Sequence, residues 1–142
     1  MTSSIEIENY LKNQKGFLGC YAYNDLPPIP KILPASMIIN THRKNQPGEH
    51  WLALVLTKTK CFYFDSFGGP ILEETIVSYL QQKYEKVTIN NECIQHLYSD
   101  SCGLYCIAFV KNVKSKTSFE TFISKFNLYD LLKNDNIVIN LM

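Results

Sequence analysis

The chain has 142 residues, 46% apolar and 19% charged, enough for one domain with a hydrophobic core and too apolar for a disordered segment. Its 14 basic and 13 acidic side chains leave a formal charge of +1 with no basic block, which gives phosphate-driven nucleic-acid binding little support. No run approaches the roughly 18 consecutive apolar residues of a membrane span. The polar N-terminus is unlike a secretory signal, and the five cysteines point to free thiols in a reducing compartment.

Ser3-Ser4-Ile5-Glu6 offers a capping box, and Ile5, Glu8 and Leu11 fit a short helix running to about Gln14. GFLGCYAYN can hold a short strand, after which Pro27, Pro28, Pro30 and Pro34 force an extended surface run. ASMIINTH predicts a buried strand and RKNQPGE a polar loop. HWLALVLTK and CFYFDSF predict a hairpin turned at Lys58-Thr59-Lys60. Ile71 to Tyr84 has helical spacing, KVTIN is a strand, and the stretch from Cys102 is apolar enough for a central helix. A last helix falls around Ser118 to Phe126, followed by an ill-defined tail. Helices interleaved with strands in this order predict an α+β fold with a mostly antiparallel central sheet packed with helices, residues 1–142 forming a single domain.

The stretch YSDSCGLYC sets a thiol where a polar run becomes apolar. In the first turn of a helix a cysteine meets unpaired backbone N–H groups, which favour a thiolate over the thiol with its usual pKa of about 8.5. Asp100 or Ser101 would cap that helix, and Gly103 would leave room for a substrate carbonyl beside the sulfur. A small buried residue starting a core helix is the plainer account of Cys102, and Cys106, one turn on, is assigned to the core. Of the three histidines, His42 and His96 sit in polar segments, whereas His50 opens a strand just before Trp51. A strand-end histidine facing solvent explains His50 as well. Asp65 interrupts an aromatic run, where a carboxylate is costly without a partner, and the hairpin brings it beside His50. A carboxylate accepting from His Nδ1–H would fix the tautomer and stabilise the imidazolium, although an aspartate opening a turn before Gly68-Gly69 remains open. Gln95, seven residues before Cys102, could fold its amide toward the sulfur as an oxyanion donor.

These residues resemble the adenovirus maturation proteases (adenains) and, more distantly, the SUMO-specific proteases of the same clan. GEHWLALVL is similar to the family's histidine strand, CFYFDSFGG to its acidic strand and IQHLYSDSCGLYC to its glutamine–cysteine block; FLGCYAYNDLP and MIINT resemble adenain upstream of the histidine. The resemblance implies the family's fold in minimal form and a thiol endopeptidase that works through an acyl-enzyme. Cys102 is then the nucleophile, His50 the general base, Asp65 the orienting carboxylate and Gln95 an oxyanion donor, with Trp51 walling the substrate cleft beside Gly103. It implies cleavage of viral capsid or core precursors after small, Gly-type residues, by a monomer in the virion and the cytoplasm or nucleus of the infected cell. The family's DNA cofactor and disulfide-tethered activating peptide are implied too. Against both stand the near-zero charge and Lys86 at the position of the disulfide-forming cysteine, so no cofactor and no metal are expected.

Three other readings compete. Cys93, His96, Cys102 and Cys106 supply enough ligands for a structural zinc, but not at the spacing of a knuckle or finger. Asp65 is the acid found in SUMO proteases, so deconjugation of a SUMO- or ubiquitin-like modifier is the second. A non-catalytic binding module is the third, opposed by the filling of all four catalytic positions.

Overall fold

The computed structural model describes residues 2–41 and 50–142; His42 and the loop Arg43–Glu49 lie outside the described residues. The N-terminal helix α1 (Ser4–Leu11) starts at the expected capping box: Ser3 Oγ accepts from Glu6 N–H while the Glu6 carboxylate accepts from Ser3 N–H. It ends at Leu11, short of Gln14, because the chain must turn at Gly16 into strand β1 (Phe17–Ala22). Gly16 has φ +81°, and a Cβ there would lie 2.5 Å from the Pro34 carbonyl oxygen. Only glycine fits.

Strands β2 (Ala35–Asn40), β3 (Trp51–Leu56), β4 (Cys61–Phe64) and β5 (Thr88–Ile89) complete a sheet in the order β1-β2-β3-β4-β5. The central pairs β2–β3 and β3–β4 are antiparallel, but both outer pairs, β1–β2 and β4–β5, are parallel. The fold is α+β as expected, yet the sheet is mixed rather than mostly antiparallel. Parallel neighbours need a long crossover, and the chain supplies two. The proline-rich run between β1 and β2 is one; helix α2 (Glu74–Gln81) is the other. Helix α2 begins after Ile71 and Leu72, with Glu73 as its cap.

Every residue of β3 is buried, and its side chains divide between two cores. Leu52, Leu54 and Leu56 pack with Met37, Ile39 and α2; Trp51, Ala53 and Val55 pack with α1, α3 (Cys102–Asn112) and α4 (Lys116–Ser124). Helix α3 runs through the second core, which explains its apolar circumference. Phe64 stacks on Phe109 at 4.7 Å between ring centres and meets Phe122 edge-on at 5.7 Å. Removing such a ring costs about 3–5 kcal/mol. Helix α4 starts at a second capping box, Ser115 with Ser118, two residues before the expected start. The tail is folded: a 3₁₀ turn at Leu131–Lys133 leads into α5 (Asn134–Ile139), whose Asn134 and Val138 are fully buried. Its stability comes from Asn134 side-chain bonds to distant backbone, which no local pattern announces.

Candidate active site

Each chemically interesting side chain lies beside a residue anchored in the core. His50 precedes buried Trp51, and its carbonyl accepts from Thr41 N–H at 3.0 Å, which extends the β2–β3 ladder by one bond. Asp65 follows the clamped Phe64, Gln95 follows the fully buried Ile94, and Cys102 opens α3. Side chains so placed have little freedom to turn.

His50 Nε2 lies 2.8 Å from Asp65 Oδ1, with both side chains 17% exposed. The carboxylate therefore meets Nε2, not the Nδ1 anticipated from sequence. Burial alone would lower the histidine pKa. The bond to Asp65, with its charge, and the influence of the nearby Cys102 side chain outweigh it and lift His50 from 6.5 to about 9. The Phe67 ring tilts over the imidazole at 5.0 Å between centres.

Asp65 is held as firmly as the group it holds. Its Oδ1 also accepts from Phe67 N–H at 2.9 Å, and the buried Asn90 side chain brackets its backbone. Asn90 Oδ1 accepts from Asp65 N–H at 3.0 Å while Asn90 Nδ2 donates to the Asp65 carbonyl at 2.6 Å. Asn90 thus continues the β4–β5 pairing after the strand ends. Gly68 completes the turn with φ +78°, where a Cβ would collide with the Glu92 backbone at 2.8 Å.

Gln95 is 1% exposed and its amide is fully engaged. Its Oε1 accepts from Ser66 Oγ at 2.5 Å, and its Nε2 donates to the Ser99 carbonyl at 3.0 Å and lies 3.2 Å from Ser99 Oγ. Ser101 occupies the cap position of α3 but makes no side-chain capping bond. The first-turn N–H groups of α3 are therefore not satisfied by the Ser101 side chain. Cys102 itself is 3% exposed.

The two residues expected to line a substrate channel both meet the N-terminal segment. Trp51 Nε1 donates to the Thr2 carbonyl at 2.9 Å. Gly103 is buried, and a Cβ there would lie 2.8 Å from Thr2 Cβ and 3.3 Å from Ile7 Cδ1. The missing side chain makes room for the N-terminal segment, not for a ligand. Among the described residues no group of three or more His, Cys, Asp or Glu side chains is gathered as a metal site, so Cys93, His96, Cys102 and Cys106 do not converge. Cys93 is exposed, while burial pushes the Cys20 and Cys61 thiols up to about 12 and Cys106 well above its ordinary value. Sequence reasoning missed Ser66, Phe67, Asn90, Ser99 and Asp135. Only Asn90, a polar residue closing a strand, carried even a faint signal. No helix among the described residues is long and apolar enough to cross a membrane.

A buried thiol at a helix start thus lies near a histidine that is itself held by a carboxylate, a grouping of Cys102, His50 and Asp65. No family model matches the chain. It is 31% identical over 117 residues to the protease of snake adenovirus serotype 1, spanning 70% of this chain and 57% of that one. It is 29% identical over 112 residues to the protease of bovine adenovirus 7 (67% and 54%) and 27% identical over 133 residues to that of frog adenovirus 1 (77% and 62%). A crystallised protease of ASFV superposes with a TM-score of 0.41 at 21% identity, over 68% of this chain and 41% of the other. The chain is adenain-like, a sequence relative of the adenovirus proteases, and spans about half the length of the curated relatives it matches.

Proposed function

We propose that the chain is a viral cysteine endopeptidase that cleaves capsid or core precursor polypeptides after small, Gly-type residues. The observation that carries the reading is His50 held by Asp65 at 2.8 Å and influenced by Cys102, the residue that starts α3. The likeness to adenovirus proteases supports viral precursor polypeptides as substrates, and the preference for small residues follows from the family resemblance of the cysteine and histidine motifs.

In the proposed reaction the Cys102 thiolate attacks the scissile carbonyl, forming a C–S bond and placing negative charge on the oxygen. His50, as imidazolium, gives its proton to the departing amine when the C–N bond breaks, leaving a thioester. Water then attacks the thioester carbonyl while neutral His50 takes its proton, and Cys102 leaves as thiolate beside the restored imidazolium. Asp65 stabilises that cation and holds the ring. The oxyanion is met by the Cys102 backbone N–H and Gln95 Nε2. Both Gln95 Nε2 contacts fall on Ser99, so one amide hydrogen can serve them and the other is left for the oxyanion.

The test is mass spectrometry of precursor fragments and Gly-Gly peptides incubated with the parent and with Cys102→Ala. Cleavage after glycine by the parent alone supports the proposal. Cleavage only of SUMO or ubiquitin fusions would move the reading to deconjugation, and preference for Arg or Phe before the cut would reject it.

A further inference from the structure

The folded tail reaches into the segment that carries Gln95. Residues 94–99 form an irregular loop between the Asp65 turn and α3. Two consecutive residues at the start of α5 grip its two ends. Buried Asn134 donates to the Ile94 carbonyl at 2.7 Å, fixing the residue before Gln95. Asp135 accepts from Ser99 Oγ at 2.9 Å and 3.1 Å through its two oxygens.

The second contact decides a direction. A serine hydroxyl has one hydrogen and two lone pairs, whereas a carboxylate can only accept. Once Ser99 gives its hydrogen to Asp135, its oxygen can only receive. It faces two donors: Gln95 Nε2 at 3.2 Å and Ser101 N–H at 3.2 Å, immediately before Cys102. Tyr105, one turn into α3, donates to the same carboxylate at 2.8 Å. One carboxylate is thereby tied to the Gln95 amide, to the turn that delivers Cys102 and to the helix behind it. Without it nothing fixes the Ser99 hydroxyl hydrogen or its rotamer, and both acceptor contacts lose their direction.

We propose that Asp135 is a positioning residue for the oxyanion side of the site, acting through Ser99 to orient Gln95. This rests on the endopeptidase reading for its kinetic consequence but not for its structural one. A residue that only stitched the tail to the body would affect folding without singling out the Gln95 amide. A positioning residue lowers kcat, spares KM, and loses its effect once Gln95 is gone.

The experiment has two arms. In the first, Asp135→Ala should lower kcat about tenfold to a hundredfold with KM within about threefold; in a Gln95→Ala background the same change should cost less than about threefold. Iodoacetamide alkylation of Cys102, which forms no oxyanion, should stay near the parent rate. Parent-like kcat in Asp135→Ala, or losses that simply multiply in the double variant, overturns the proposal. In the second arm, the side-chain amide resonances of Gln95 in ¹⁵N-labelled protein should shift and exchange faster in Asp135→Ala and in Ser99→Ala. Unmoved resonances overturn the proposal even in a chain that cleaves nothing. Displaced resonances in a parent that cleaves no peptide support the positioning and reject the peptidase reading instead. Should Asp135→Ala fail to fold, Asp135→Asn keeps shape and an acceptor oxygen and should give smaller changes in the same direction.

Discussion

The first and second turns of α3 carry the same residue type in nearly the same burial: Cys102 is 3% exposed and Cys106 not at all. Their surroundings differ. Cys106 is enclosed by the apolar core, and burial, with the nearby Cys102 and Asp65 charges, holds its thiol well above the ordinary range. Cys102 meets an imidazole that β3 delivers and β4 stabilises through Asp65. Burial does not separate the proposed nucleophile from core filler here; a partner brought by another element does.

The largest way to break that comparison is Cys102→Ala. Peptide cleavage and the rapid iodoacetamide labelling at position 102 should both vanish, leaving exposed Cys93 labelled and the melting temperature within a few degrees of the parent. Residual labelling that mapped to Cys106 would reverse the assignment. His50→Ala comes next, because it removes the partner and keeps the sulfur. It should slow turnover by about 10³-fold or more. Alkylation at pH 6 to 7 should fall toward that of an ordinary thiol; an unchanged profile would falsify the pairing. The pH dependence has a defined sign. Folding raises the His50 pKa from 6.5 to about 9, so its stabilisation is complete below 6.5 and is lost as pH rises through 9. The stability gap between parent and His50→Ala, on the order of 1–3 kcal/mol at pH 6, should close above pH 9 in denaturant titrations.

Gln95→Ala sharpens the comparison, since it changes the loop that leads into α3, where Gln95 bonds Ser66 and Ser99, without touching the sulfur or the imidazole. Losing one oxyanion donor costs about 10²–10³ in kcat. Alkylation should persist and KM should change little. A kcat within a few fold of the parent would leave Gln95 as a loop brace between Ser66 and Ser99.

What could be read from sequence divides along the same line. The Ser3 capping box, the β3–β4 hairpin and the apolar α3 were legible because each is written in adjacent residues. His50 and Asp65 came into view because a hairpin makes strand neighbours calculable. The parallel outer pairs were not legible, since a proline run states that the chain is extended but not where it returns. Gly103 was read as space for a ligand, yet the filler is Thr2, a hundred residues away. Asn90, Ser99 and Asp135 act by single polar contacts across long separations, for which one chain offers no periodicity.

Asp65→Asn tests how much the partner's own partner matters. The amide keeps the shape and can still accept from Phe67 N–H, but it does not neutralise an imidazolium. Turnover should fall by about 10–10³-fold, less than for His50→Ala. The activity profile should lose its alkaline reach, because a His50 without the carboxylate gives up its proton at lower pH. A loss equal to that of His50→Ala would make Asp65 a structural requirement of the turn instead.

The smallest expected effect belongs to Cys106→Ala, and it tests the other half of the comparison. Cys106 packs in the core formed by α3, β3 and β4 and is fully buried, so replacing its sulfur leaves a small void. A void of that size costs on the order of 1 kcal/mol, visible as a lower midpoint in a urea titration. Turnover at saturating peptide should remain within about twofold of the parent, since no step in the proposed reaction uses this thiol. Cys106→Ser should be less stable than Cys106→Ala, because a hydroxyl is costlier to bury than a methyl. Stability and activity should therefore come apart at Cys106 and at Cys102 in opposite directions. If Cys106→Ala instead cut turnover by about a hundredfold at unchanged stability, the two turns of α3 could not be divided into nucleophile and filler.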